Sequence, residues 1–432
     1  MIIEKVLRRL ITKGRLVLID AAGKRYEFGE TDSGGGDALT MTLKDAAVAR
    51  QLAFDPDPKL GEAYMDGRVE FANGRIWDFL ELVGRNLTDG GEKRLPFGLS
   101  RLLGFLLRFY HQLNPAHRSR RNVAHHYDLS GELYELFLDS DRQYSCAYYA
   151  RPDMSLDEAQ AAKKRHIARK LMLAPGHRVL DIGCGWGGMA LTIAEMADVE
   201  VLGVTLSQEQ LTVARQRAER AGVADRVKFE LIDYRHVEGQ FDRIVSVGMF
   251  EHVGAPHYPE YFRTVENLLT HDGVALIHTI GRNEQPGITS PFIRKYIFPG
   301  GYIPALSEVA RTIERTGLFM TDIEVLRLHY AETLKEWRRR FLGNWDRAKE
   351  IYDERFCRMW EFYLAGSEMS FRYDTMVNFQ IQLTRRNDIL PMTRDYIYVD
   401  EALTDGPKKA EQPLDGSGSP TVGVPRKSPQ TA

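Results

Sequence analysis

HRVLDIGCGWGG, residues 177–188, decides the fold. Its apolar run ends in a D-x-G-x-G-x-G turn, and GMALTIAEMA (188–197) continues from there with helical texture. Working outward, EVLGVTLS (200–207), RVKFELID (226–233), FDRIVSVGMF (241–250) and VALIHTIG (274–281) are further short apolar runs. QEQLTVARQRAERAG (208–222) lies among them as an amphipathic helix. Strands buried on both faces read as continuous Val/Ile/Leu runs, and helical crossovers between them imply a mostly parallel, doubly wound α/β sheet.

Toward the N-terminus the texture is weaker. Ile2, Ile3, Val6, Leu7, Leu10 and Ile11 recur at helical spacing with Lys5, Arg8, Arg9 and Lys13 between them. That amphipathic basic helix either packs on a small domain or lies on a membrane surface. RLVLID (15–20) and KRYEFGE (24–30) read as strands about the turn AAG, and TDSGGGD (31–37) reads as a loop. Helix is expected from Asp45 to Leu52 and around Ile76 to Asn86. The run NLTDGGEKRLPFG (86–98) is the best linker candidate. These signals divide the chain into an α/β domain at 1–87, a connection at 88–121, the doubly wound domain at 122–405 and a Pro/Gly/Ser-rich disordered tail at 406–432.

Bulk composition excludes several classes. With 58 Lys plus Arg against 60 Asp plus Glu, the near-neutral chain is not built to neutralise nucleic-acid phosphates. Three cysteines without a CxxC pair, Cys146, Cys184 and Cys357, give neither a disulfide framework nor a zinc site, and they fit a reducing cytoplasm. The N-terminus lacks the uninterrupted apolar region of a secretory signal. The most apolar stretch, Leu102 to Tyr110, is too short and too charged to cross a bilayer.

The glycine turn places Asp181, Gly183, Gly185 and Gly187 at the carboxyl end of the first strand, where such folds bind ligands. A dinucleotide site would want an acid at the end of the second strand. Here GVTLSQEQ (203–210) offers the neutral Thr205 and Gln210. The pattern resembles the nucleoside-binding motif of class I S-adenosylmethionine methyltransferases. In that fold Asp233 and Tyr234, after the next strand, would meet the adenine amine and stack on its ring.

Seven stretches carry a more specific resemblance. NVAHHYDLSGELYELFLD (122–139), QYSCAYY (143–149), VLDIGCGWGG (179–188), GVTLSQEQ (203–210), DRIVSVGMFEHVG (242–254), LIHTIG (276–281) and IRKYIFPGGYIP (293–304) occur in this order. Together they closely resemble the bacterial cyclopropane-fatty-acyl-phospholipid synthases and the related mycolic acid cyclopropane synthases, from about Asn122 to about Tyr398. The resemblance implies a Rossmann-like class I methyltransferase domain with a smaller N-terminal α/β domain that recruits lipid. It implies S-adenosylmethionine as cofactor, with Tyr144 and Ser145 in its pocket, and methylene transfer to the cis double bond of an unsaturated phospholipid at the membrane surface. It further implies a bound bicarbonate as general base, held by Glu251, His278, Tyr330 and backbone groups at Cys146 and Ile280. A homodimer, cytoplasmic and peripherally bound to the inner face of the membrane, follows from the same likeness.

Other readings stand beside these. Glu251 could be an acid at a helix N-terminus, His278 a hydrogen-bonded core histidine and Cys146 simple packing. His125, His126 and Asp128 suggest a metal at first sight, but adjacent histidines rarely converge on one, so a structural or lid role is expected and no metal. Arg294 and Lys295 suit either a lipid headgroup or a solvated face. Where family members often carry a late cysteine this chain has Ser367, and Cys357 does not align with it. A fatty-acyl methyltransferase leaving a methyl branch or a methylene group would share every motif.

Overall fold

A computed structural model describes residues 2–30, 38–88 and 130–398. Almost all of the expected connection, the Leu102 to Tyr110 stretch, the trio His125, His126 and Asp128, and the expected tail lie outside these residues.

The larger sheet has seven strands: β5 (Arg178–Ile182), β6 (Glu200–Thr205), β7 (Val227–Leu231), β8 (Phe241–Val247), β9 (Leu269–Arg282), β10 (Phe319–Leu326) and β11 (Met376–Thr384). Their spatial order is β10-β11-β9-β8-β5-β6-β7. The chain runs from β5 outward through β6 to β7, then returns to place β8 on the other side of β5. The strand order therefore reverses at β5, and ligands bind at the carboxyl ends beside such a reversal. β11 alone runs antiparallel to its neighbours β9 and β10. Apolar side chains of β5, β8, β9 and β11 close one face of the sheet against Tyr258, Tyr261, Phe262 and Val265 of the helix Tyr258–Leu268. On the other face, β6 and β7 pack against the helices Gly188–Met196 and Gln208–Arg220.

The smaller sheet comprises β1 (Leu16–Ile19), β2 (Arg25–Phe28), β3 (Leu39–Leu43) and β4 (Val69–Ala72), in the order β2-β1-β3-β4. Helix Ile2–Leu10 buries Ile3, Leu7 and Leu10 in this unit's core, while Lys5, Arg8 and Arg9 face solvent. Asp45 starts the helix Ala46–Phe54 by accepting hydrogen bonds from the Ala47 and Val48 amides, as an N-cap should.

The two sheets are joined through the long helix Glu354–Tyr373. Glu361, almost fully buried, accepts the Tyr64 hydroxyl at 2.7 Å and both arms of the Arg75 guanidinium at 2.7 and 3.0 Å. Close approach also needs glycine at two points of this seam. A Cβ on Gly61 would lie 2.4 Å from the Phe292 ring, and one on Gly84 would lie 2.7 Å from Tyr373. Lys295, still more than half exposed, pairs with Glu62 at 2.6 Å across the seam. Among the described residues no helix is long and apolar enough to cross a membrane.

Candidate functional site

The cleft at the carboxyl ends of β5, β6 and β8 encloses about 1170 Å³ of space, its open mouth included. Of the residues expected to hold a cofactor, Tyr144, Ser145, Asp181, Gly183, Gly185, Thr205, Gln210, Asp233 and Tyr234 line it. Gly187 does not. It stands behind the wall as the left-handed start of helix Gly188–Met196, where a side chain would strike the Phe229 ring at 2.8 Å. Gly185 also has positive φ, but a Cβ there would meet nothing within 4 Å. The turn thus leaves open space in the cleft that a side chain would fill and a ligand can use.

Polar groups in the cleft fit a nucleoside with an amino-acid tail. Asp181 is buried, one carboxylate oxygen has no hydrogen-bond partner among the described residues, and burial raises its pKa to about 7. An ammonium group would restore its charge. Thr205 donates to the Gln210 side-chain oxygen at 3.0 Å, which leaves the Gln210 amide group to face the cleft. Asp233 differs from the expectation. Its carboxylate is bound by the Arg235 guanidinium at 2.7 and 2.9 Å, so it meets an adenine amine only while shared with that arginine. Arg235 also lies over the Tyr234 ring, 5.5 Å from its centre.

A residue that sequence reasoning passed over supports this wall. Lys163, fully buried, donates to Gln143 Oε1 at 2.6 Å and to Ser145 Oγ at 2.8 Å. Burial lowers its pKa to about 8. In the run AAKKRHIARK it reads as one of several solvated charges, and only tertiary packing turns it inward.

The second group of expected residues comes from the turn after β8, the second half of β9, the helix His329–Gly343 and the segment 144–149. After β8 the chain makes a short turn, Phe250–His252, that carries Glu251. Glu251 Oε1 accepts the Ile280 backbone N–H at 2.6 Å, while Oε2 is sealed from water and makes no hydrogen bond of good geometry among the described residues, although the Thr279 side chain also helps to hold the charge. Desolvation raises this carboxyl to about 7. The N–H of Ile280, expected to hold an anion, therefore serves Glu251 instead. The short turn is too brief for a macrodipole to explain this acid.

His278 lies two residues before Ile280 on β9 and is fully buried. Gln380 on β11 is 3.1 Å from its Nδ1, and its Nε2 has no partner among the described residues. Burial, with Lys163, Lys170 and His166 nearby, holds its pKa well below the usual range. Tyr330 and Cys146 share an aromatic core against which Ile280 packs, with Phe371 and Trp337 around the tyrosine ring at 4.7 and 5.7 Å. Helix His329–Gly343 fixes Tyr330 beside the 144–149 segment, since Thr333 Oγ1 accepts the Ala147 amide and His329 Nδ1 the Tyr149 amide. Ile280 thus touches both subsets: Glu251 directly, and the Tyr330 and Cys146 core through packing. Burial pushes the Cys146 thiol up, so it is no nucleophile at neutral pH. Ser367 is half-buried one turn beyond Tyr363, whose hydroxyl is 2.8 Å from that of Tyr144.

The comparisons agree with this geometry. A family model described as mycolic acid cyclopropane synthetase matches residues 114–381. The cyclopropane-fatty-acyl-phospholipid synthase of Escherichia coli (strain K12) is 41% identical over 351 residues, covering 81% of this chain and 89% of that protein. A probable fatty acid methyltransferase of Pseudomonas putida is 35% identical over 398 residues, covering 87% and 95%. The crystal structure of mycolic acid cyclopropane synthase CmaA1 complexed with SAH and CTAB superposes with a TM-score of 0.59 at 35% identity. It covers 63% of this chain and 99% of its own.

Proposed function

The chain belongs to the mycolic acid cyclopropane synthetase family, and from that premise we propose that it converts the cis double bond of an unsaturated phospholipid acyl chain into a cyclopropane ring. S-adenosylmethionine, when bound, supplies the electrophilic methyl group. Asp181, Gln210 and the Gly183 to Gly185 turn would hold it, with Tyr144 and Ser145, the latter braced by Lys163, as a further wall of the same cleft.

An alkene is a weak nucleophile, so the chain's first task is to hold it dry and close to that methyl. Tyr144 lines the cleft, and Trp337 and Tyr330, buried in the core behind it, pack ring to ring there and keep that wall dry. Ring closure then requires loss of a proton from the added methyl. Bicarbonate, when bound, supplies a base that takes this proton without attacking the cation. Glu251 and His278 would hold it, with the Tyr330 hydroxyl as a further donor.

The observation that carries this reading is the pair of sealed atoms without a hydrogen bond of good geometry among the described residues, Glu251 Oε2 and His278 Nε2, beside a cleft shaped for the cofactor. Buried polar atoms are costly when unpaired, so their persistence favours a missing polar ligand. A partly protonated Glu251 can share a hydrogen with an anionic oxygen and later accept the proton.

Peripheral attachment to the inner membrane face through the N-terminal unit, and a homodimer, belong to the same proposal. The exposed Lys5, Arg8 and Arg9 give the N-terminal unit a basic face suited to anionic headgroups.

A second reading is favoured by the likeness to the Pseudomonas putida protein. In that reading a hydride shift and loss of a proton from the cation leave a methylene group, and a saturated methyl branch would form only with a separate hydride donor. Lipid mass spectrometry from cells expressing the chain separates the two. The synthase yields an acyl chain heavier by one CH₂, without a double bond and with a ring on degradation. A methyl branch or a retained double bond refutes ring formation.

A further inference from the structure

One face of β11 is polar although it is buried. Asn378, Gln380, Gln382 and Thr384 alternate with the apolar Val377, Phe379, Ile381 and Leu383. Gln382 is accounted for by the Lys170 carbonyl at 2.6 Å and the Tyr396 hydroxyl at 3.0 Å. Thr384 is accounted for by the Arg386 carbonyl at 2.5 Å. Gln380 has a different place. It stands directly across the ladder from His278, and its side-chain nitrogen is 3.1 Å from His278 Nδ1.

The chemistry of that contact is set by the way the amide faces. With the Gln380 amide nitrogen toward the ring and its Oε1 buried without a partner among the described residues, Nδ1 receives with its lone pair and a neutral imidazole carries its proton on Nε2; the reversed amide would put the proton on Nδ1. Several charged or titratable groups act on this ring: Lys163, His166 and Lys170 from helix Leu156–Lys170, and Glu324 from β10. Glu324 is itself bound by His166 and Lys170, both at its Oε2. Cations dominate the surroundings, and the ring is kept neutral.

We propose that Gln380 is a positioning residue that fixes His278 as its Nε2–H tautomer, so that His278 acts in the site as a hydrogen-bond donor and not as the base. This rests on the place given to His278 in the proposed function. A bare Nε2 would repel an anionic oxygen; an Nε2–H holds one. The proton of the added methyl must therefore go elsewhere than to His278, which leaves it to the captured anion and Glu251.

The test uses the full chain labelled with ¹⁵N-histidine, with His278→Gln to assign the signal. The native protein is expected to show an unprotonated Nδ1 and a protonated Nε2 between about pH 6 and about pH 9. A protonated Nδ1 overturns the assignment. Gln380→Glu keeps the size but offers only acceptors, which forces the proton onto Nδ1 and raises the ring's pKa. Its turnover should fall by about 10- to 100-fold, with a new loss on the acid side, while the KM for S-adenosylmethionine stays within about twofold. Gln380→Leu, which frees both tautomers, should lose only a few-fold, whereas a purely structural role would make the two variants equal and leave the pH profile unmoved. If Gln380→Glu switches the tautomer and turnover is unchanged, the positioning survives and the role of His278 in the site is what fails.

Discussion

Glu251→Gln should make the protein more stable and nearly inactive at the same time. Glu251 Oε2 is sealed from water, and its carboxyl titrates at about 7 instead of the ordinary 4.5 because burial penalises the charge. Between those values the folded chain keeps a proton that the unfolded chain has lost, so stability falls as pH rises through the interval. At about 1.4 kcal/mol per pH unit the loss amounts to about 3 kcal/mol, fully felt above pH 7 and absent below pH 4.5. Glutamine keeps an oxygen for the Ile280 N–H, now 2.6 Å from Glu251 Oε1, and never ionises. Thermal unfolding in CO₂-free buffer should show the variant matching the native protein near pH 4.5 to 5 and gaining several degrees near pH 8. Turnover at pH 8 should fall by about 10²- to 10⁴-fold, as expected when a proton-handling group is lost. Equal stability of the two proteins at pH 8 would show that this carboxyl is not desolvated, and the argument for its role would lose its physical basis.

Two further substitutions probe the cofactor turn and the seam between the sheets. Gly185→Ala should cost about 1 kcal/mol of stability through its positive φ, since a Cβ there meets no neighbour. The added methyl enters the cleft, so calorimetry should show the affinity for S-adenosylmethionine falling by about tenfold or more; unchanged affinity would place the ligand elsewhere. Glu361→Ala removes the acceptor of Tyr64 and Arg75. Because Arg75 is half exposed and can turn to water, the loss should be about 2 to 3 kcal/mol, below the range for a fully buried pair. Limited proteolysis should then cut the chain between the N-terminal unit and the catalytic domain first; uniform resistance would show that the seam does not depend on this pair.

The sequence by itself determined the doubly wound core and the cofactor turn. Strands buried on both faces must be continuously apolar, and a ligand turn at the end of β5 must be glycine-rich, so both leave marks in one dimension. Those marks also placed Glu251 just after β8, whereas His278, expected to follow a strand as well, lies inside β9. What the sequence could not carry is whatever depends on which distant segments meet. Lys163 reads as a surface charge until the helix Leu156–Lys170 turns it against Gln143 and Ser145. Ile280 reads as an anion donor until the turn after β8 brings Glu251 to its amide. Gln380 has no local signal, because its meaning comes from an antiparallel pairing between β9 and β11 across 102 residues of sequence separation. Asp233 is claimed by its own near neighbour Arg235, a contact that side-chain geometry and not residue type decides. Periodicity and turn chemistry act over a few residues and can be read directly, whereas the pairing of buried polar groups is a long-range matter that only the folded chain resolves.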